Sequence, residues 1–332
     1  MENCVKALKA VRFSYVIPVY NEEAVLSFLF KEMTEFLDGN EILRESTEVV
    51  LVDDGSKDAS WAMMADLAAR DSRFVAVRLS RNFGHQVALT AGYAVARGEA
   101  AISMDADLQD PLAVTLDFIE KWQGGADVVY GVRKERRGES FFKKFTAAMF
   151  YRLMSRIGES NAPRNSGDFR LLSRRALDAL NRLPERNRYL RGLVGWIGLN
   201  TAIVEYDREP RAAGVTKYPL RKMIRFAADG IVSMSSVPLR FSYYSALFAS
   251  LFFLGYLLYT LAKAVFFGVR MVPGWSSLIV TVVVFGSLNL ICIGLVGEFV
   301  GRIYEEVKRR PLFLLQELIR DGKDQAQVVA KL

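Results

Sequence analysis

Two carboxylates one residue apart, Asp105 and Asp107, stand where a short apolar run, Ala100 to Met104, gives way to Asp105-Ala106-Asp107-Leu108-Gln109-Asp110-Pro111. At a strand end, residues i and i+2 point the same way, so this pair can share one divalent cation while Ala106 stays clear of it. Two carboxylates do not complete a coordination shell. Hard cations held this way fill their other positions with water and substrate phosphates, so the expected passenger is a nucleoside diphosphate with Mg²⁺ or Mn²⁺. The stretch also fits a plainer purpose, because Asp110-Pro111 has the form of an N-cap and first-turn proline opening a helix. The surrounding elements decide between the two.

Phe13 to Val19 is a short β-prone run, and Tyr20-Asn21-Glu22-Glu23 opens an apolar-periodic stretch to Leu37. The spacing then predicts strands at Val49–Val52, Phe74–Leu79, Ala100–Met104 and Asp127–Tyr130. Helices are expected near Ala59–Arg70, Gly84–Arg97 and Pro111–Gln123, with Gly98 as a stop. Strands and helices alternating at this length imply an α/β fold, a mostly parallel sheet with helices on both faces. Ligands of such sheets sit beyond the carboxyl ends of the strands. That rule gathers Pro18, Tyr20 and Glu22, then Asp53 and Asp54, then Asp105 and Asp107, onto one edge. The chain has neither a G-x-G-x-x-G after its first strand nor a G-x-x-x-x-G-K-[ST], which disfavours a dehydrogenase or a P-loop ATPase.

Of the 332 residues, 51% are hydrophobic, a high share for a wholly soluble protein, and the excess lies near the C-terminus. Phe241 to Ala262 is 22 residues without a charge, and Met271 to Gly297 is 27. About 20 apolar residues span a bilayer as a helix, so both are expected to cross. Arg221, Lys222, Arg225 and Arg240 precede the first and Arg302, Lys308, Arg309 and Arg310 follow the second, which puts both flanks on the cytoplasmic side. The net charge of +7 crowds next to these segments, without a helix-turn-helix, zinc-finger or RNP signature, and so points to lipid headgroups or an anionic lipid substrate rather than nucleic acid. Two cysteines, Cys4 and Cys292, make no disulfide framework.

The segments V-I-P-V-Y-N-E-E, V-D-D-G-S, S-R-N-F-G-H-Q, D-A-D-L-Q-D-P and N-S-G-D-F-R-L-L-S-R-R together resemble the inverting family 2 glycosyltransferases. Within that family the chain is most similar to the polyisoprenyl-phosphate glycosyltransferases with two C-terminal spans, the bactoprenol glucosyltransferase group, related to dolichol-phosphate mannose synthase. The resemblance runs from about Tyr15 to Pro311. It implies a GT-A, Rossmann-like nucleotide-sugar-binding domain over residues 1–215, amphipathic juxtamembrane helices over 216–240, two transmembrane helices within 241–300 and a cytosolic tail over 301–332. The implied reaction moves a hexose, glucose from UDP-glucose foremost, onto undecaprenyl or a similar polyprenyl phosphate at the cytoplasmic face of the inner membrane. Mannose, N-acetylglucosamine and amino-arabinose donors would need only small changes of pocket.

Residue by residue, the resemblance puts Pro18, Tyr20 and Glu22 around the base and ribose and Asp53 on the base edge. Asp105 and Asp107 match its metal and diphosphate site, with Ala106 and Gln109 counted beside them. Arg133 matches an arginine that meets the phosphate-bearing substrates, and Lys143 the basic residue that holds the acceptor phosphate, where relatives often carry arginine. Asp168 matches a carboxylate near the reacting centre, with Arg170 either pairing with it or binding phosphate. Asn165 stands where relatives often have aspartate. Arg211 and Lys217 match diphosphate contacts in a loop reading R-x-x-G-x-S-K-Y, although Val215 replaces a common glutamate. Pro219 to Ser235 resembles an interfacial helix.

A general base is not required, because a lipid monophosphate with a second pKa of about 6 is largely dianionic at neutral pH. His85, the only histidine, is expected to pack or cap the helix that follows it. The tail after Arg310 is expected to be flexible. Two spans with Gly294, Gly297 and Gly301 leave room for homo-oligomers through helix association.

Overall fold

The computed structural model describes residues 10–134, 163, 166–186, 188–207, 237–267 and 274–324; Lys143, Asn165, Arg211, Lys217 and the expected interfacial helix lie outside them. The chain divides into two units, residues 1–220 with 310–332, and residues 221–309.

The first unit is built on one sheet. Its strands are β1 (Phe13–Val19), β2 (Thr47–Asp53), β3 (Phe74–Leu79), β4 (Ala100–Ser103), β5 (Val128–Arg133), β6 (Ser166–Ser173), β7 (Thr201–Tyr206), β8 (Leu315–Arg320) and β9 (Lys323–Asp324). They lie in the order β7-β5-β6-β4-β1-β2-β3-β8-β9. β1 pairs in parallel with both β2 and β4, and β2 with β3. β6 runs antiparallel between β4 and β5, and β8 antiparallel to β3. The expected parallel centre is therefore present, flanked by antiparallel strands that the apolar pattern did not announce.

Burial on both faces explains the uninterrupted apolar runs of the central strands. Tyr15, Ile17, Val49 and Leu51 join one core with Leu26, Leu29 and Met33 of α1 (Glu23–Gly39) and Phe118 of α5 (Val114–Gln123). Val16, Val50 and Val52 join the other with Ala88, Leu89 and Ala91 of α4 (His85–Val95), Leu177 of α6 (Arg174–Arg182) and Leu193 of α7 (Leu190–Trp196). The short α2 (Glu41–Arg44) and α3 (Ser60–Arg70) complete the connections. α4 lies hard against the sheet: a Cβ on Gly92 would come within 2.3 Å of Val16 Cγ1. That close seat fixes the height at which the α4 N-terminus meets the sheet edge.

Two readings are corrected here. Asp110 does not cap a helix, because α5 starts at Val114; its carboxylate is taken by Tyr206 instead. The tail is ordered over 310–324, where β8 extends the sheet with Leu318 buried and Arg320 beside Glu48, Nη2 to Oε2 3.3 Å.

The second unit holds α8 (Val237–Phe267) and α9 (Trp275–Val307), in contact at Phe253 and Phe285, whose ring centroids are 4.2 Å apart. Among the described residues, one stretch, Thr281–Val307, is long and apolar enough to cross a membrane; Ala246–Tyr256 of α8 is a shorter apolar segment.

Candidate active site

The parallel direction of β1, β2 and β4 sends their carboxyl ends to one edge, and antiparallel β6 brings its first residues there too: Ser103 lies opposite Arg170 and Val132 opposite Ser166. Chain direction alone thus collects Asp53, Asp105, Arg133 and Asp168.

The loops after β1 and β2 are stitched together. Asn21, with φ +52°, donates its N–H to Ser56 Oγ at 3.0 Å and accepts from Lys57 N at 2.8 Å, and Glu22 N donates to Ser60 Oγ at 3.0 Å. This seats Pro18, Tyr20 and Glu22 beside Asp53, with the Tyr20 ring 41% exposed and so available to a flat ligand. Asp53 is fully buried; Oδ1 accepts from Ser56 N at 2.9 Å, while Oδ2 has no hydrogen-bond partner among the described residues. A buried acceptor left open in this way is unfavourable until a donor arrives, which suits an N–H of a ligand.

The neighbouring Asp54 has a different duty. Its oxygens accept from Phe83 N at 2.7 Å and Gly84 N at 2.9 Å, closing the turn whose Gly84 (φ +98°) opens α4. Asp54 therefore sets the entry angle of α4 and, with it, the place of His85.

His85 lies between carboxylates, its Nε2 3.4 Å from Asp168 Oδ2 and 3.7 Å from Asp105 Oδ1. Asp168 also accepts from Arg170 Nη2 at 2.5 Å, Arg191 Nη2 at 3.1 Å and Gln86 Nε2 at 3.2 Å. Burial pushes the Asp168 carboxyl up, but the His85 hydrogen bond and the Arg191 and Arg170 charges outweigh it and hold the group well below the usual carboxylate range. Burial likewise draws His85 down, yet Asp168 and Asp105 leave it raised. Asp105 moves the other way: burial, with the charges of Asp168 and Asp107, raises it against the pull of His85 and Arg133.

The oxygen donors of Asp105 and Asp107 fit a hard divalent cation. Among the described residues no cluster of three His, Cys, Asp or Glu side chains could cage a metal, so the remaining ligands would have to come from substrate and water. Gln109 follows on the same loop, buried, its N–H 3.3 Å from Asp107 Oδ1.

Arg133 is braced from behind. Its Nε donates to Tyr206 Oη at 3.1 Å, Tyr206 donates to Asp110 Oδ1 at 2.5 Å, and Arg133 Nη2 is 3.6 Å from the same oxygen. Burial and the Asp110 carboxylate raise the Tyr206 phenol above its ordinary value, so it remains a donor at any working pH.

The structure therefore brings together Pro18, Tyr20, Glu22 and Asp53, and beside them Asp105, Ala106, Asp107, Gln109, Arg133, Asp168 and Arg170. Arg170 is fully buried against Asp168, which makes pairing its role rather than phosphate contact. Sequence reasoning missed Gln86, Arg191, Tyr206 and the brace at Asp110, and it set His85 aside. The available signal was S-R-N-F-G-H-Q itself, an odd stretch to spend on packing.

The first unit is a GT-A-like α/β sheet domain with acidic strand ends and an aspartate pair after β4. The model of glycosyl transferase family 2 matches residues 14–180, and the chain belongs to that family and is a glycosyltransferase. It is 44% identical over 307 residues to the uncharacterized glycosyltransferase YkcC of Bacillus subtilis, covering 92% of this chain and 94% of that one. To the SfII prophage-derived bactoprenol glucosyl transferase of Shigella flexneri it is 41% identical, covering 92% and 98%. Among solved structures, mannosyl-3-phosphoglycerate synthase from Rubrobacter xylanophilus overlaps loosely, at 16% identity and a TM-score of 0.45 over 66% of this chain and 71% of that one.

Proposed function

We propose that the chain transfers glucose from UDP-glucose to a polyprenyl phosphate, undecaprenyl phosphate foremost, at the cytoplasmic face of a membrane. The observation that carries this reading is the convergence at one sheet edge of an open Asp53 oxygen with the Asp105, Asp107 and Arg133 cluster. The named function of the 41% identical relative, over nearly its whole length, supports the choice of acceptor.

In this reading Tyr20 and Glu22 frame the base and ribose, and Asp53 Oδ2 accepts from the base edge. Asp105 and Asp107 would hold Mg²⁺ or Mn²⁺, which when bound supplies positive charge to the diphosphate leaving group. Arg133, braced by Tyr206 and Asp110, faces the phosphates, joined by Lys143, Arg211 and Lys217. A phosphate oxygen of the acceptor attacks the anomeric carbon as the bond to the nucleoside diphosphate breaks, the electron pair leaving on the β-phosphate oxygen, so configuration inverts. Asp168, held ionised by His85, Arg170 and Arg191, is a poor proton acceptor and serves as the anchor of that cluster. No proton has to move, because the attacking phosphate is already a dianion above a pKa of about 6.

Two membrane crossings, within 241–300, belong to the same reading. β7 and β8 are strands of one sheet, so the chain returns after the second unit to the side it left. If Thr281–Val307 crosses, an even number of crossings is needed, and α8 is the element available for the other. In this reading residues 1–215 are the cytosolic catalytic domain and 216–240 the interfacial segment.

The test is transfer of radiolabelled sugar from a panel of UDP- and GDP-sugars to undecaprenyl phosphate by the purified full chain with Mg²⁺ or Mn²⁺, alongside Asp105→Ala and Asp107→Ala. Glucose from UDP-glucose should enter the lipid phase and both substitutions should abolish it. Transfer of a different sugar would overturn the donor, and undiminished transfer by either variant would overturn the metal site.

A further inference from the structure

A rank of alternating charge crosses three adjacent strands. Asp53 of β2 lies in register with Arg78 of β3, and Arg78 with Glu317 of β8. Arg78 Nη1 donates to Glu317 Oε1 at 3.0 Å, its Nε is 3.6 Å from Asp53 Oδ2, and its guanidinium carbon is 5.2 Å from the Trp61 ring centroid. At 3.6 Å the arginine neutralises the buried aspartate without hydrogen bonding to it. Asp53 Oδ2 consequently keeps its charge balanced and its acceptor position open.

What holds the guanidinium at that distance is its outer commitment to Glu317, aided by the Trp61 face. Freed of Glu317, Arg78 has one carboxylate left to satisfy among the described residues, and a fork of N–H donors would close onto Asp53 Oδ2. That closure would consume the oxygen that the nucleobase needs.

We infer that Glu317 is a positioning residue for donor binding: from the strand that follows the membrane unit, it restrains Arg78 so that Asp53 stays open to a base bearing an imino N–H, as uracil and guanine do. The inference rests on the reading of Asp53 as the residue that meets the base. Glu317 touches no substrate, and acts only through Arg78.

The experiment is isothermal titration of UDP, GDP and inorganic pyrophosphate into the full chain in detergent with Mg²⁺, for wild type, Glu317→Gln and Glu317→Asp, with steady-state kinetics beside it. Glu317→Gln should weaken UDP about tenfold, the worth of one charge-assisted hydrogen bond to the base, and leave pyrophosphate unchanged. KM for the donor should rise with kcat at saturation intact, and Glu317→Asp should recover most of the loss. UDP affinity within about twofold of wild type, or a loss shared equally by pyrophosphate, overturns the inference alone. Wild type binding pyrophosphate but neither UDP nor GDP overturns the base reading and the inference with it. Should Glu317→Gln fail to fold, Arg78→Lys tests the same relay, since an ammonium cannot keep the Glu317 hydrogen bond and the Trp61 stack together; a selective loss of UDP is expected there too, and its absence is decisive against it.

Discussion

Replacing Arg320 by alanine should lower the stability of the catalytic unit by about 3 kcal/mol, because it strips a buried carboxylate of its counter-charge. Arg320 is 5% exposed and Glu48 2%; Arg320 Nη2 donates to Val95 O at 2.9 Å and lies 3.3 Å from Glu48 Oε2. Breaking a buried pair from one side costs about 3–5 kcal/mol, and the lower end applies because Glu48 Oε1 keeps its bonds from Ser14 Oγ at 2.7 Å and Arg97 N at 2.6 Å. For a unit of this size 1 kcal/mol moves the melting temperature by about 2–4 °C, so the transition should fall by about 6–12 °C. The assay is thermal unfolding of the full chain in detergent, followed by fluorescence. Glu48→Gln with Arg320→Met, which removes both charges, should recover most of the loss. A drop below about 3 °C for Arg320→Ala would refute the view that this pair anchors β8 to the sheet.

Tyr206→Phe removes the hydroxyl shared by Arg133 and Asp110 and should cut kcat/KM about tenfold while the fold persists, read by donor kinetics beside a melting curve. Gly55→Ala should destabilise by about 2 kcal/mol or more, measured by denaturant unfolding, because its φ of +70° and a Cβ 2.5 Å from the Arg81 carbonyl carbon leave no room to relax. Asp168→Asn should lose stability at pH 7 and approach wild type in strong acid. The folded carboxyl titrates well below its ordinary 3.8, so its contribution is complete above that value and disappears as pH falls through the lower folded value. Melting curves of the two proteins that stay equally far apart down to pH 2 would contradict the cluster.

The central strands were legible because burial on both faces demands near-continuous apolar runs, which Val49–Val52 and Phe74–Val77 supply. Strand β8 was not, because it mixes exposed Gln316 and half-buried Glu317 with Leu318 and so reads as a polar tail. Acidic strand ends could be placed on one edge from chain direction alone. Side-chain partnerships could not: Asp110 looks like a cap until Tyr206 arrives from a strand 96 residues away, and His85 looks idle until β4 and β6 bring it two carboxylates. Asp53 and Asp54 are alike in sequence, yet successive residues point opposite ways, so one carboxylate meets the Ser56 N–H and the other the turn that starts α4.

The place of β8 also sets an order of events during synthesis. β3 is complete at Leu79, but the strand that covers its edge begins at Leu315, after both long apolar helices. At about 5–20 residues per second, that edge waits roughly ten to fifty seconds on the ribosome, open to pairing with any other extended chain. The catalytic sheet is finished last of all. A nascent protein halted within these helices would carry an unsealed strand and an Arg78 without Glu317, open to aggregation or proteolysis.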